Sequence, residues 1–266
     1  MATIGVLGDG AIGRLVAGRL RRQDQQVILK GRSGLAPSAD LWLICTKSHQ
    51  ALAAVQALAP APELPLVLLC NGLGPHEQLA EAFPNPLFLA TTTYGARRQG
   101  EQVVMTGHGQ CWYGHFKGSK AALPLVHSVL NLAMPPATCF ADVLKPLWRK
   151  LAINAVINPL TARDQVTNGA LLEEDYRVEI HTLVHEMQPV LAAEGVVLGK
   201  EELLAAVLAV AKATAANHSS MLEDRRLGRK TEIDAISGYL CEKAEEHGLL
   251  VPSHRQLWQE IRELNQ

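Results

Sequence analysis

The stretch Thr3-Ile4-Gly5-Val6-Leu7-Gly8-Asp9-Gly10-Ala11-Ile12-Gly13-Arg14-Leu15-Val16-Ala17 decides the fold. Its first five residues are mostly apolar and β-branched, as in a strand buried on both faces of a parallel sheet. From Arg14 to Arg22 the chain reads as a helix, and Gln26 to Leu29 as a second strand. A Gly-x-Gly-x-x-Gly turn separates the first strand from the helix. In that spacing the first glycine makes the turn, the second lets backbone approach a pyrophosphate, and the third lets helix pack on strand. Unpaired N–H groups and the helix dipole then favour phosphate. Gly8, Asp9, Gly10, Ala11, Ile12 and Gly13 are therefore expected to hold a dinucleotide. A glycine triplet alone is weak evidence; its place between strand and helix gives it weight.

In NAD-binding versions of this unit an acid about 20 residues further on accepts from the ribose 2′-hydroxyl. Here Lys30-Gly31-Arg32 stands at that point, with no acid before Asp40. An acid would repel a 2′-phosphate, whereas Arg32 can grip one through two N–H groups. A solvated basic turn is the plainer alternative. At the end of a second strand, the pattern favours NADP(H) over NAD(H).

Further strands are expected at 41–46, 64–70 and 87–93, with helices at 48–58 and 75–82. A hairpin of 102–106 with 110–115 around Gly107-His108-Gly109, a helix near 120–132 and a short strand near 137–139 follow. This alternation implies an α/β fold, an N-terminal Rossmann-type doubly wound sheet over residues 1–141. From Asp142 the pattern is helix after helix, at 143–158, 172–194, 200–217, 232–247 and 253–264. Residues 142–266 thus read as an all-α C-terminal domain. Asp142, Thr231 and Ser253 suit N-caps, and Gly195 and Gly248 suit helix stops. Lys47 and Asn71 fall at the carboxyl ends of their strands, where doubly wound sheets bind ligands.

Composition narrows the class. Apolar residues make up 48% and charged residues 19%, with a net charge of −1. There is no basic excess of the kind that draws nucleic acid or an anionic membrane. Cys45, Cys70, Cys111, Cys139 and Cys241 are dispersed, with no Cys-x-x-Cys, which points to reduced thiols in a cytoplasmic setting; no metal site is expected. No apolar run approaches the roughly 18 residues of a membrane span. The first strand begins at residue 3 and leaves no room for a signal peptide.

Lys150, Asn154 and Asn158 stand four apart in Leu147-Trp148-Arg149-Lys150-Leu151-Ala152-Ile153-Asn154-Ala155-Val156-Ile157-Asn158-Pro159-Leu160. Residues four apart stack along one helix face. The rest of this surface is mostly Leu, Ala, Ile and Val, so the helix should be largely buried, and a polar stripe in it needs a partner. A substrate carbonyl or carboxylate is one such partner. The other account is a lysine reaching water and two asparagines bonded to nearby backbone. A dinucleotide site at the N-terminus tips the balance toward substrate.

Several segments together closely resemble the ketopantoate reductase (2-dehydropantoate 2-reductase) family. They are Gly8 to Gly13, Asn71-Gly72-Leu73-Gly74, Thr91 to Arg98, Leu147 to Ala162, Asn217 to Asp224, and Thr231-Glu232-Ile233-Asp234. The resemblance runs almost end to end. It implies NADPH-dependent reduction of 2-dehydropantoate on the route to pantothenate, by a monomer or homodimer acting on a small 2-keto acid. It makes Lys150 and Glu232 catalytic, and Asn71, Asn154, Asn158, Asn217 and Ser220 substrate-binding. Lys47 and Asn71 would also serve the cofactor, and Arg32 its 2′-phosphate. Lys150 would supply charge and a proton to the ketone oxygen. Standing alone, Glu232 would be read as a complement to the helix dipole, and Ser219 or Ser220 as a cap. Two features depart from the family: only Ser33 to Asp40 joins the second and third strands, and Tyr94 stands where a relative has His. Two other functions fit the same residues. One is a reductase of another small branched 2-keto or 3-hydroxy acid. The other is a non-catalytic NADP(H)-binding sensor, which would need neither Lys150 nor Glu232.

Overall fold

A computed structural model describes residues 2–31, 38–100 and 102–264 of the 266-residue chain. The chain divides after Pro146 into two units. In the first, β1 (Thr3–Leu7), β2 (Gln26–Lys30), β3 (Leu41–Ile44), β4 (Leu66–Leu68), β5 (Leu87–Thr92), β8 (Cys111–Lys117) and β9 (Ala137–Cys139) form one sheet in the order β2-β1-β3-β4-β5-β8-β9. The run from β2 to β5 is parallel. Burial on both faces explains why these strands are continuous apolar runs; Ile4, Val6, Leu41, Leu43, Ile44 and Val67 are fully covered.

The chain moves from β1 to β2 in one direction and from β3 through β4 to β5 in the other. Right-handed crossovers then place α1 (Ala11–Arg21) on one face and α2 (Ala51–Leu58) and α3 (Pro75–Ala82) on the opposite one. In keeping with this, α1 packs on α4 (Leu123–Ala133), and α2 packs on α3. The reversal lies between β1 and β3, so the carboxyl ends of these strands form the switch point at which such sheets bind ligands. Gly5 and Trp42 are register partners on these two strands, and a Cβ on Gly5 would lie 2.3 Å from the indole.

The expected hairpin of 102–106 with 110–115 does not form. Instead β7 (Gln102–Gly107) pairs with β6 (Gly95–Gln99) in a separate ribbon, and Gly100, at φ +60°, supplies the turn. Strand β8 pairs antiparallel with β5 and parallel with β9. The reason is burial: β8 places Cys111 and Tyr113 in the sheet core, whereas β7 alternates exposed and half-buried positions.

The second unit is helical: α5 (Leu144–Asp164, whose first turn precedes the division), α6 (Glu174–Ala193), α7 (Lys200–Ala213), α8 (Ser220–Arg226), α9 (Tyr239–Glu246) and α10 (Pro252–Glu263). Helix α5 continues through Pro159, although that proline removes the N–H that would bond the Ala155 carbonyl. The helix expected at 232–247 resolves into a π-helical turn, Asp234–Gly238, and then α9. Gly195 and Gly248 stop their helices with φ of +76° and +66°. Ser253 is not a cap. Its N–H donates to Glu186 of α6 at 2.9 and 3.0 Å, so a carboxylate from another helix satisfies the start of α10. Among the described residues, no helix is long and apolar enough to cross a membrane.

Candidate active site

The glycine turn has the geometry its spacing demands. Gly8 has φ +110°, and a Cβ there would lie 2.7 Å from the Cys45 carbonyl oxygen. A Cβ on Gly13 would lie 1.9 Å from the Gly8 oxygen, so only glycine lets α1 approach β1 this closely. Gly10 differs: nothing described lies within 4 Å of its would-be Cβ. It stands at the N-cap of α1, which among the described residues has no side-chain cap and no acid in its first turn. An open backbone cradle at a helix N-terminus fits the pyrophosphate of a dinucleotide. Ala11 and Ile12 open that helix. Asp9 is held by Arg14, whose Nε donates to the Asp9 carbonyl at 2.8 Å and whose guanidinium lies 3.7 Å from its carboxylate. Arg32 lies outside the described residues.

Lys47 follows β3 in extended conformation and leads into a short 3₁₀ turn, Ser48–Gln50. Asn71 follows β4 and precedes Gly72, at φ +79°. Both are half-buried and follow the carboxyl ends of their strands, Lys47 beside the switch point and Asn71 one strand further along the sheet. The Thr46 hydroxyl beside Lys47 is buried, with no hydrogen-bond partner among the described residues.

In the second unit, Lys150 and Asn154 are half-buried on α5 and Asn158 is buried. Trp148 packs on Tyr239 with ring centroids 5.5 Å apart, tying this part of α5 to the start of α9. Near the other end of α5, Thr161 Oγ1 lies 2.8 Å from Ser219 Oγ. Ser219 caps α8 by accepting from the Leu222 N–H at 3.1 Å. Ser220 is therefore the exposed first residue of α8, not its cap. The exposed Asn217 is fixed through its backbone. Its N–H donates to the Thr214 carbonyl at 2.8 Å, and its carbonyl accepts from the Asn168 N–H at 2.9 Å. Arg225 of α8 donates to the carbonyls of Ala162 and Arg163, which completes the attachment of α8 to α5.

Glu232 is buried between Thr231 and Ile233, just before the π-helical turn. Anchors stand on both sides of it. Asp224 pairs with Arg229 at 3.0 Å, and Asp234 accepts from Trp258 Nε1 at 2.9 Å. Gly238 lets the turn sit against Trp258, where a Cβ would approach the ring to 3.1 Å. π-helical turns often mark functional segments.

Thr161 was missed by the sequence reading, although it continues the polar stripe of α5, and of the two cap candidates Ser219 and Ser220 the structure selects Ser219. His181 and His185, four apart on α6, were passed over too. Among the described residues no group of three metal-ligating side chains forms. All five cysteines are free, and burial pushes the thiols of Cys45 and Cys241 up to about 12 and about 11, which leaves them inert as nucleophiles.

A doubly wound sheet with this glycine turn, followed by an all-helical unit, defines a dinucleotide-binding α/β protein with a helical second unit. Residues 34–118 match the family model described as ketopantoate reductase PanE/ApbA, and residues 142–265 match that of its C-terminal region. A 2-dehydropantoate 2-reductase of Vibrio cholerae is 38% identical over 98% of this chain and 97% of its own length. That of Yersinia pestis is 34% identical over 97% and 94%. The chain belongs to the ketopantoate reductase family. Among solved structures, a PanE/ApbA family ketopantoate reductase from Ralstonia eutropha superposes with a TM-score of 0.87 at 24% identity, covering 99% of this chain and 98% of that one. A D-mandelate dehydrogenase in complex with NADH gives 0.88 at 23% identity, with the same coverage. At these identities the likeness is one of fold.

Proposed function

We propose that this chain is the NADPH-dependent enzyme that reduces 2-dehydropantoate to pantoate on the route to pantothenate, acting in the cytoplasm as a monomer or homodimer. The observation that carries the reading is α5. It carries an ammonium and two carboxamides, Lys150, Asn154 and Asn158, along one face of a helix whose buried side chains are mostly apolar. Residues 1–141 serve as the cofactor-binding domain and residues 142–266 as the substrate domain. Gly8 to Gly13 cradle the pyrophosphate, Arg32 takes the 2′-phosphate, and Lys47 and Asn71 meet the cofactor at the strand ends. When bound, the nicotinamide supplies the hydride.

Lys150 does the rest of the chemistry at the ketone. Its ammonium stabilises the charge developing on the carbonyl oxygen and then gives that oxygen a proton. Glu232 accepts a hydrogen bond from the substrate's primary hydroxyl, which fixes which end of the molecule meets Lys150. Asn154, Asn158, Asn217 and Ser220 donate to the carboxylate without adding charge. A non-catalytic sensor would need neither Lys150 nor a buried Glu232.

The test is NADPH oxidation with a panel of 2-keto acids that includes ketopantoate. Ketopantoate should give the highest kcat/KM. A higher value for another branched keto acid would reassign the substrate, and no turnover with any would favour the sensor.

A further inference from the structure

The proposed substrate groups lie on separate elements: Asn158 on α5 and Ser220 on α8. Their spacing therefore depends on what joins those helices. At about 100° per residue, Thr161 falls within the arc of about 80° that Lys150, Asn154 and Asn158 span. It is the next polar residue of the same stripe, yet it is fully buried and cannot reach a ligand. Its hydroxyl lies 2.7 Å from the Ile157 carbonyl oxygen and 3.1 Å from that of Asn158. It also meets Ser219 Oγ at 2.8 Å, across 58 residues of sequence. Ser219 is likewise buried, and it holds the first turn of α8 through the Leu222 N–H.

We infer that Thr161 and Ser219 are positioning residues, whose hydroxyl–hydroxyl bond sets Asn158 and Ser220 at the separation the keto acid's carboxylate requires. The inference rests on the substrate contacts proposed above. Burial gives the bond its leverage: with the Thr161 proton given to the Ile157 carbonyl, opening the pair would strand the buried Ser219 O–H donor away from water, so the pair is held closed. Back-bonding from Thr161 to the preceding turn fixes one end, and the cap at Ser219 fixes the other. A movement of either hydroxyl is thus a movement of the neighbouring substrate group.

The experiment is steady-state kinetics with NADPH and ketopantoate on Thr161→Val, Thr161→Ser, Ser219→Gly and Ser220→Ala, with thermal unfolding as the check on folding. Thr161→Val should raise KM for ketopantoate about tenfold, the equivalent of one lost buried hydrogen bond, with kcat and NADPH affinity nearly unchanged. Thr161→Ser keeps the hydroxyl and should restore the native KM. Ser219→Gly should repeat the defect, because glycine is tolerated at a cap, and it replaces Thr161→Val should that variant not fold. A native KM in Thr161→Val, or equal impairment in Thr161→Ser, would overturn the inference, as would a parallel loss of NADPH affinity. If Ser220→Ala is itself native-like, the proposed contacts fall and the inference falls with them. If Ser220→Ala is impaired while Thr161→Val is not, the inference alone falls.

Discussion

At the scale of single residues, the proposed function leans most on the glycine turn and on Lys150. Gly8 and Gly13 were legible in the sequence because their constraints are local: a positive φ in one case, a helix packed on its own preceding turn in the other. The meeting of Thr161 and Ser219 was not, since no spacing rule links residues 58 positions apart. Lys150→Ala should lower turnover by a factor on the order of 10² to 10⁴, the usual contribution of a positioned acid–base group. NADPH binding, followed by fluorescence titration, should hardly change. Near-native turnover would return Lys150 to the role of a lysine reaching for water. Arg32→Asp should narrow or reverse the preference for NADPH over NADH, because a charge-assisted contact to phosphate is worth about 1.5–3 kcal/mol. Equal affinities of the unaltered protein for the two cofactors would remove the basis for that assignment.

At the scale of elements, the parallel strands and most helices could be read because each carries its own hydrophobic period. The expected hairpin failed because β8 pairs according to where Cys111 and Tyr113 are buried, which depends on β5 and β9. The cap of α10 was hidden for the same kind of reason, since Glu186 comes from 67 residues away. Tight packing of β1 on β3 gives one test. Gly5→Ala pushes a methyl group into Trp42 and should cost about 1–3 kcal/mol in a denaturation curve. Combining it with Trp42→Leu should recover part of that loss; a neutral Gly5→Ala would mean the strands can part at no cost.

Helix α10 gives another. His254 is wholly buried, with Nε2 3.0 Å from the Leu183 carbonyl oxygen, and burial lowers its pKa from 6.5 to about 4. The unfolded chain therefore takes up the proton first as pH falls. Stability fully present above pH 6.5 is lost as pH falls toward 4, by about 3 kcal/mol at about 1.4 kcal/mol per unit. His254→Gln should have a flatter stability profile than the native chain across that window. Parallel profiles would show that His254 does not titrate as its burial requires.

At the scale of the whole molecule, the chain divides its resources between a sheet unit and a helical unit, each with its own core. The glycine turn and the polar stripe of α5 were visible beforehand as residue types in pattern, Glu232, Asn217 and Ser220 entered only through the family resemblance, and supports such as Thr161 were not visible at all. The glycine turn is on the first unit, whereas Lys150 and Glu232 are on the second. The central claim is that this chain is built for a keto acid that also carries a hydroxyl. The most direct measurement compares kcat/KM with NADPH for ketopantoate and for its analogue lacking that hydroxyl, in the native protein and in Glu232→Gln. Native protein should favour ketopantoate by on the order of 10⁴, because a site built for a hydroxyl leaves buried polar groups unpaired without it. Glu232→Gln should shrink that ratio by about tenfold or more. Equal kcat/KM for the two substrates in the native protein would contradict the claim.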